Sequence, residues 1–223
     1  MVQSLIKILI NPGAFFAELK GEEEENLKWP LLIVLLGGIA AAGYGYLFGE
    51  VTAKMMEGAL PGIGALVTIS SAIGALIGVF IFWLIWTVVV FAISMAFKGQ
   101  GSFKRTLQVI GYGYLPQVIG SIITVIVAFE YIPRIVVPYV TAAMMQDPVA
   151  MQGVTTALMH DPAMLEMTQI TSIIAMVFLL WSANIWIFGL QKARSLSPMN
   201  AALCVGIPVI AYILFMIYNL GVS

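Results

Sequence analysis

Hydrophobic positions along this chain come in long unbroken blocks rather than in a short alternating period. Five blocks stand out, at about 29–48, 71–97, 109–129, 170–190 and 201–220, and none contains Asp, Glu, Lys or Arg. A helix rising ~1.5 Å per residue needs about 20 apolar residues to cross a hydrocarbon layer of ~30 Å. Lipid offers backbone N–H and C=O groups no partners, so each block must be helical. The pattern predicts an all-α fold: a polytopic membrane protein with a five-transmembrane-helix bundle. The second block is longer than one crossing requires, which implies tilt or an interfacial turn at its start. Gly62 and Gly64 fall in the loop before it.

The segments outside the blocks carry their own patterns. Ahead of the first block, Leu5, Ile8, Leu9, Phe15, Phe16 and Leu19 recur at roughly helical spacing, with Lys7, Glu18 and Lys20 off that face. Asn11-Pro12 can restart a helix there, Asn as N-cap and Pro at the first helical position. Residues 1–28 therefore form a cytoplasmic amphipathic N-terminal segment, lying on the leaflet or packed on the bundle, and 29–220 form one membrane domain. Between the third and fourth blocks, Met145-Gln146-Asp147-Pro148 and Met159-His160-Asp161-Pro162 repeat the same helix-start signature fourteen residues apart. Two short extracytoplasmic helices are expected in this Met-rich loop, 141–169, with a binding groove among its methionines left open.

Composition removes the soluble alternatives. Of 223 residues, 61% are hydrophobic and 9% charged, where a soluble domain carries roughly 25% charged residues. A globule of this composition in water would expose very large apolar patches. The length leaves no room for a separate soluble enzyme domain beside five spans. The net charge of −1 says nothing about nucleic acid, but no basic stripe with interleaved aromatics appears, and nucleic acid is not an expected partner. Cys204 is the single cysteine, so no intrachain disulfide is available. No N-terminal signal peptide is expected, because the first long apolar block follows the acidic run Glu22–Glu25 instead of a basic region.

Charge placement orients the bundle. Lys7, Lys20, Lys28, Lys98, Lys104, Arg105, Lys192 and Arg194 fall on one side of the blocks, and only Lys54 and Arg134 on the other. The positive-inside rule then puts the N-terminus in the cytoplasm and, after an odd number of spans, the C-terminus outside. A multi-pass protein of the cell membrane follows.

Several short motifs occur in a fixed order. Asn11-Pro12-Gly13-Ala14-Phe15-Phe16 is similar to the N-P-x-x-F-F start of prokaryotic Yip1-domain proteins. Gly99-Gln100-Gly101-Ser102-Phe103-Lys104 is similar to that family's G-x-G-S-F-K loop. Gly111-Tyr112-Gly113-Tyr114-Leu115-Pro116 is similar to its G-Y-x-x-x-P motif, and Trp181 and Gly189 stand in family register. Asn26-Leu27-Lys28-Trp29-Pro30 departs from the eukaryotic D-L-x-G-P pattern, with Asn for Asp and Trp for Gly. Across residues 11–201 the chain resembles the Yip1-domain family, and with about 28 residues before its first block it resembles the short prokaryotic members. Eukaryotic members sit in early secretory membranes, associate with Rab-type GTPases and with one another, and support vesicle traffic. The resemblance thus implies membrane lipids, other membrane proteins or small GTPase-like proteins as partners, with homo-oligomerisation left open.

Catalytic chemistry finds little material. His160 is the only histidine, which excludes a multi-histidine metal site, and neither a nucleophile elbow nor a phosphate loop is present. No cofactor is expected. Ionisable residues within spans mark ion pathways, and the blocks hold none. Their polar residues Gln117 and Asn184, with hinges at Pro116 and Pro208, form the alternative: a small-solute carrier or channel with a polar site around Asn184 and Gln117. The favoured expectation is a non-enzymatic scaffold whose cytoplasmic face, with Lys104, Arg105, Lys192 and Arg194, contacts partners or lipid headgroups. Gly74-x-x-x-Gly78 and Gly37-x-x-x-Ala41 offer close helix packing.

Overall fold

The structure, a computed structural model, describes residues 2–19 and 26–222. Lys20 and the acidic run Glu22–Glu25 lie outside the described residues. Nine α-helices occur among them, with two short 3₁₀ turns and no strand. They are α1 (Val2–Ile10), α2 (Pro12–Leu19), α3 (Lys28–Met56), α4 (Gly64–Ala96), α5 (Phe103–Tyr112), α6 (Leu115–Tyr131), α7 (Pro148–Met159), α8 (Pro162–Ala193) and α9 (Pro198–Val222). Five stretches are long and apolar enough to cross a membrane: α3, α4, Leu115–Arg134, α8 and α9. The chain is an all-helical, multi-pass membrane protein.

The outer surface identifies the surrounding medium. Ile69, Ile73, Ile77, Ile81 and Ile85 form a ladder down α4, and each is about half exposed. Leu214 and Ile217 on α9, and Ile122 and Ile126 on α6, are also turned outward. In water such rows would have to be covered; in hydrocarbon they cost nothing. The interior is divided into two clusters. One, around Trp83, Trp86, Tyr112, Trp186 and Leu190, joins α2, α4, α5, α8 and α9. The other, around Val51, Ala128, Ile132, Met164 and Met167, closes the opposite end.

The helices run past their apolar blocks because helix propensity continues where lipid ends. α3 extends through Glu50 and Lys54, residues that tolerate a helix well. The larger differences concern three elements. The third span is interrupted: α5 ends at Tyr112 and α6 begins at Leu115, so residues 109–112 belong to a separate short helix. The second Asp-Pro does not start a short outer helix; it starts α8, the fourth span itself, and only Asp147-Pro148 opens a separate one, α7. The repeated signature caps both. Asp147 Oδ1 accepts from Val149 N at 2.9 Å, and Asp161 Oδ1 accepts from Met164 N at 3.0 Å.

Small residues bring helices together, but not all those expected. A methyl group at Gly45 would lie 2.7 Å from the Ser71 carbonyl oxygen, and one at Gly49 would lie 2.9 Å from Thr68 Cα, so the α3–α4 crossing rests on these glycines. Gly37 accommodates the Tyr114 ring. Gly74 and Gly78 instead face open space, so this pair does not pack within the monomer.

Candidate functional site

The residues singled out by motif gather where α2, α5 and α8 meet. Asn11 caps α2, its Oδ1 accepting from Ala14 N at 3.2 Å, and Pro12 is buried behind it. The turn aims Phe15 and Phe16 at Tyr112, whose ring lies edge-on to both, 5.1 Å from Phe15 and 6.5 Å from Phe16. Gly189 lets α5 and α2 approach α8: a methyl group there would lie 2.3 Å from Val109 Cγ1 and 3.0 Å from the Phe16 ring. Trp181 Nε1 donates to the Leu9 carbonyl at 3.3 Å. Ile8 and Phe16 are buried in the main cluster. Of the two arrangements open for this amphipathic segment, packing on the bundle is the one observed.

α5 is held from several sides. Gly111 faces Pro30 and Trp83, where an added methyl would sit 2.6 Å from Pro30 Cβ. Trp186 Nε1 donates to the Ile110 carbonyl at 2.9 Å, and Trp83 Nε1 to that of Leu107 at 3.2 Å. The Trp186 indole matters because a helix that stops leaves its last carbonyls, that of Ile110 among them, without intrahelical donors. Gly113 is where α5 stops, and a methyl there would lie 2.2 Å from Trp186 Cδ1. Pro116 follows in the first turn of α6, a position where its missing N–H is harmless. The Gly-x-Gly before a proline was the available signal for this break.

The loop between α4 and α5 is clasped by Arg194. This residue follows α8 and is 2% exposed. Its Nη2 donates to the Gly99 carbonyl at 2.8 Å, Nε to Ser94 Oγ at 3.0 Å, and Nη1 to the Gly101 carbonyl. Gln100 N donates back to the Arg194 carbonyl at 2.8 Å. The loop's composition follows from this closeness. Gly101 has φ of +105°, and a methyl on it would meet the Ala193 carbonyl oxygen at 2.4 Å. Ser102 then caps α5, accepting from Arg105 N at 2.9 Å, and Phe103 packs edge-on against Phe91. Burial pulls the Arg194 pKa down from its ordinary value, yet a guanidinium stays protonated in proteins.

The expected contact residues therefore separate. Arg194 is corrected from surface to interior: two of its nitrogens are occupied by the loop, the third by Ser94 near the end of α4, and the residue is buried. Arg105 is half-buried, donating from Nη2 to the Leu19 carbonyl at 2.7 Å and from Nη1 to Gln108 Oε1 at 3.0 Å. Gln108, fully buried, passes the chain on to the Asn26 carbonyl at 3.0 Å. Sequence reading missed Gln108, whose amphipathic setting in α5 gives no hint of burial. Lys104 and Lys192 remain exposed.

The polar intramembrane pair also separates. Asn184 is exposed on α8, while Gln117 lines a crevice between α4, α6, α8 and α9 that Asn184 does not reach. The two are therefore not brought into one site, because α8 lines the crevice with Ala175 and Leu179 while Asn184 stands exposed. Pro208 sits within α9, which continues through it. His160, at the end of α7, points Nδ1 at the Thr156 carbonyl, 2.9 Å away. No cluster of three potential metal ligands occurs among the described residues.

Comparison with known proteins matches the sequence to a family and to a relative. A protein of Methanocaldococcus jannaschii described as uncharacterized is 38% identical over 129 residues, covering 58% of this chain and 91% of the relative. No solved structure matches the chain. The Yip1 domain model matches residues 6–219, from α1 to the last turns of α9, and the chain belongs to the Yip1 domain family.

Proposed function

We propose that this protein is a non-enzymatic membrane scaffold, anchored by its five spans and docking other membrane or cytoplasmic proteins on the face that carries α2, the α4–α5 loop and the end of α8. The observation that carries this reading is the pairing of a clasped loop with exposed lysines beside it: Arg194 holds the Gly99 and Gly101 carbonyls while Lys104 and Lys192 are exposed. A fixed loop presents its neighbours without the ordering cost of a floppy one. Eight of the ten basic residues fall on this side of the spans, which supports a cytoplasmic N-terminus and an extracytoplasmic C-terminus in the cell membrane. Association with small GTPase-like proteins, or with further copies of the chain, accords with family membership. Membrane lipids contact the outward apolar rows.

Photocrosslinking side chains placed at Lys104, Lys192 and, on the opposite end, Val149 provide the test in native membranes. Adducts of defined mass at the first two positions, lost on charge reversal of the neighbouring lysine and absent at Val149, support docking on this face. Adducts equal at all three positions, or confined to Val149, overturn it.

A further inference from the structure

At mid-length of α4, α8 and α9, a crevice of about 300 Å³ opens toward the lipid. Phe82, Tyr114, Gln117 and Tyr212 line it, together with small residues such as Ala75 and Gly78. It sits where the third span is broken, one turn from Gly113. Irregular backbone at membrane depth is tolerated where it is buried or borders a cavity.

The lining is over-supplied with hydrogen-bonding groups. Among the described residues, no protein hydrogen bond occupies the Tyr114 or Tyr212 hydroxyl or the Gln117 amide, although Tyr114 is 8% exposed. One turn further along α4 and α8, Trp86 Nε1 and Ser182 Oγ are buried with no partner among the described residues. Such groups are costly in hydrocarbon unless something satisfies them. None of the lining residues is ionisable at neutral pH, so a charged occupant would go uncompensated. The aromatic walls favour a flat body: the Phe82 ring lies 6.1 Å from Tyr212, and Trp86 lies 6.3 Å from Tyr212 and 5.5 Å from Phe82.

We propose that this crevice binds a neutral, membrane-dissolved molecule with a planar ring bearing carbonyl oxygens, a quinone-type ring ketone, which accepts hydrogen bonds from Tyr114, Tyr212 and the Gln117 amide. The molecule enters sideways from the bilayer through the gap left by Gly78. This site is independent of the docking face.

Decylubiquinone titrated into phosphatidylcholine nanodiscs holding the full chain tests the assignment, read by quenching of tryptophan fluorescence. A saturable component is expected, lost with Trp86→Phe, because Trp86 is the indole beside the site. Gln117→Leu and Tyr212→Phe each remove one donor and should weaken binding about tenfold. Asn184→Leu should leave the curve unchanged. Tyr212 is 38% exposed, so its variant should fold even where Gln117→Leu does not. Quenching that rises linearly with quinone content, or an identical saturable curve in the Tyr212 variant, overturns the proposal. Displacement of the quinone by brominated acyl chains alone would reduce the crevice to a groove for lipid tails, and would overturn it as well.

Discussion

The guanidinium carbon of Arg194 lies 4.2 Å from the centre of the Phe91 ring, so a buried cation is stacked on an aromatic face while its nitrogens hold a loop. Cation–π attraction is worth most where water is excluded, about 2 kcal/mol or more. Neutral carbonyls and one hydroxyl supply the remaining stabilisation. No carboxylate takes part in these contacts, which distinguishes the clasp from a salt bridge.

Removing that side chain should therefore unpin the loop. Arg194→Ala is expected to cost about 3–5 kcal/mol, from buried carbonyls left without donors and a cavity beside Phe91. Arg194→Lys keeps the charge but cannot span three acceptors in one plane, and should recover less than half. Thermal unfolding of the detergent-solubilised protein measures both. Lys104→Ala, at an exposed site, should shift the midpoint by no more than a surface substitution does.

Two residues beside the clasp adopt left-handed backbone without being glycine: Lys98, with φ of 58°, and Ser195, with φ of 51°. Each follows the end of a helix, where glycine is the unstrained choice. Ser195→Gly is expected to stabilise by about 1 kcal/mol, a gain visible in the same unfolding experiment. A loss of stability there would mean that the Ser195 side chain contributes more than its backbone conformation costs.

Glycines divide into two classes that look alike in one dimension. Gly189→Ala and Gly101→Ala force a methyl into 2.3 Å and 2.4 Å approaches respectively, and each should destabilise by about 1–3 kcal/mol or more. Gly74→Ala and Gly78→Ala meet nothing within 4 Å, and should be neutral or stabilising by up to ~1 kcal/mol through helix propensity. If the monomer instead pairs through α4, these two substitutions will weaken the dimer seen by crosslinking while leaving the monomer's unfolding unchanged.

The two aspartate caps differ in what else they hold. Asp161 is buried and also accepts from Val136 N through Oδ2 at 3.2 Å, fixing the loop after α6 to the start of α8. Asp147 is exposed and caps only its own helix. Asp161→Ala should cost about 2 kcal/mol, the upper end of cap losses, and Asp147→Ala about 0.5–1 kcal/mol. Equal effects on unfolding would show that the Val136 contact contributes nothing.

Orientation is checked by impermeant maleimide on intact cells. Cys204 is fully buried, so the unaltered chain should stay unlabelled. Val149→Cys should label from outside, and Lys104→Cys only after permeabilisation. The reverse pattern would turn the docking face outward.

The number of spans was legible in sequence because burial in lipid depends on summed residue polarity over a window, a local quantity. The caps at Asn11, Asp147 and Asp161 were legible for the same reason: a cap reaches only two or three residues ahead. What could not be read was which way a side chain faces once helices pack. Arg194, placed by sequence on a basic surface, is interior because its acceptors lie 93 to 100 residues earlier. Asn184, placed inside, is turned outward, and the close approach of Gly113 to the Trp186 indole joins segments far apart in the chain. Hydropathy along the chain decides what medium a helix sits in; only contacts between distant segments decide which face of it the medium touches.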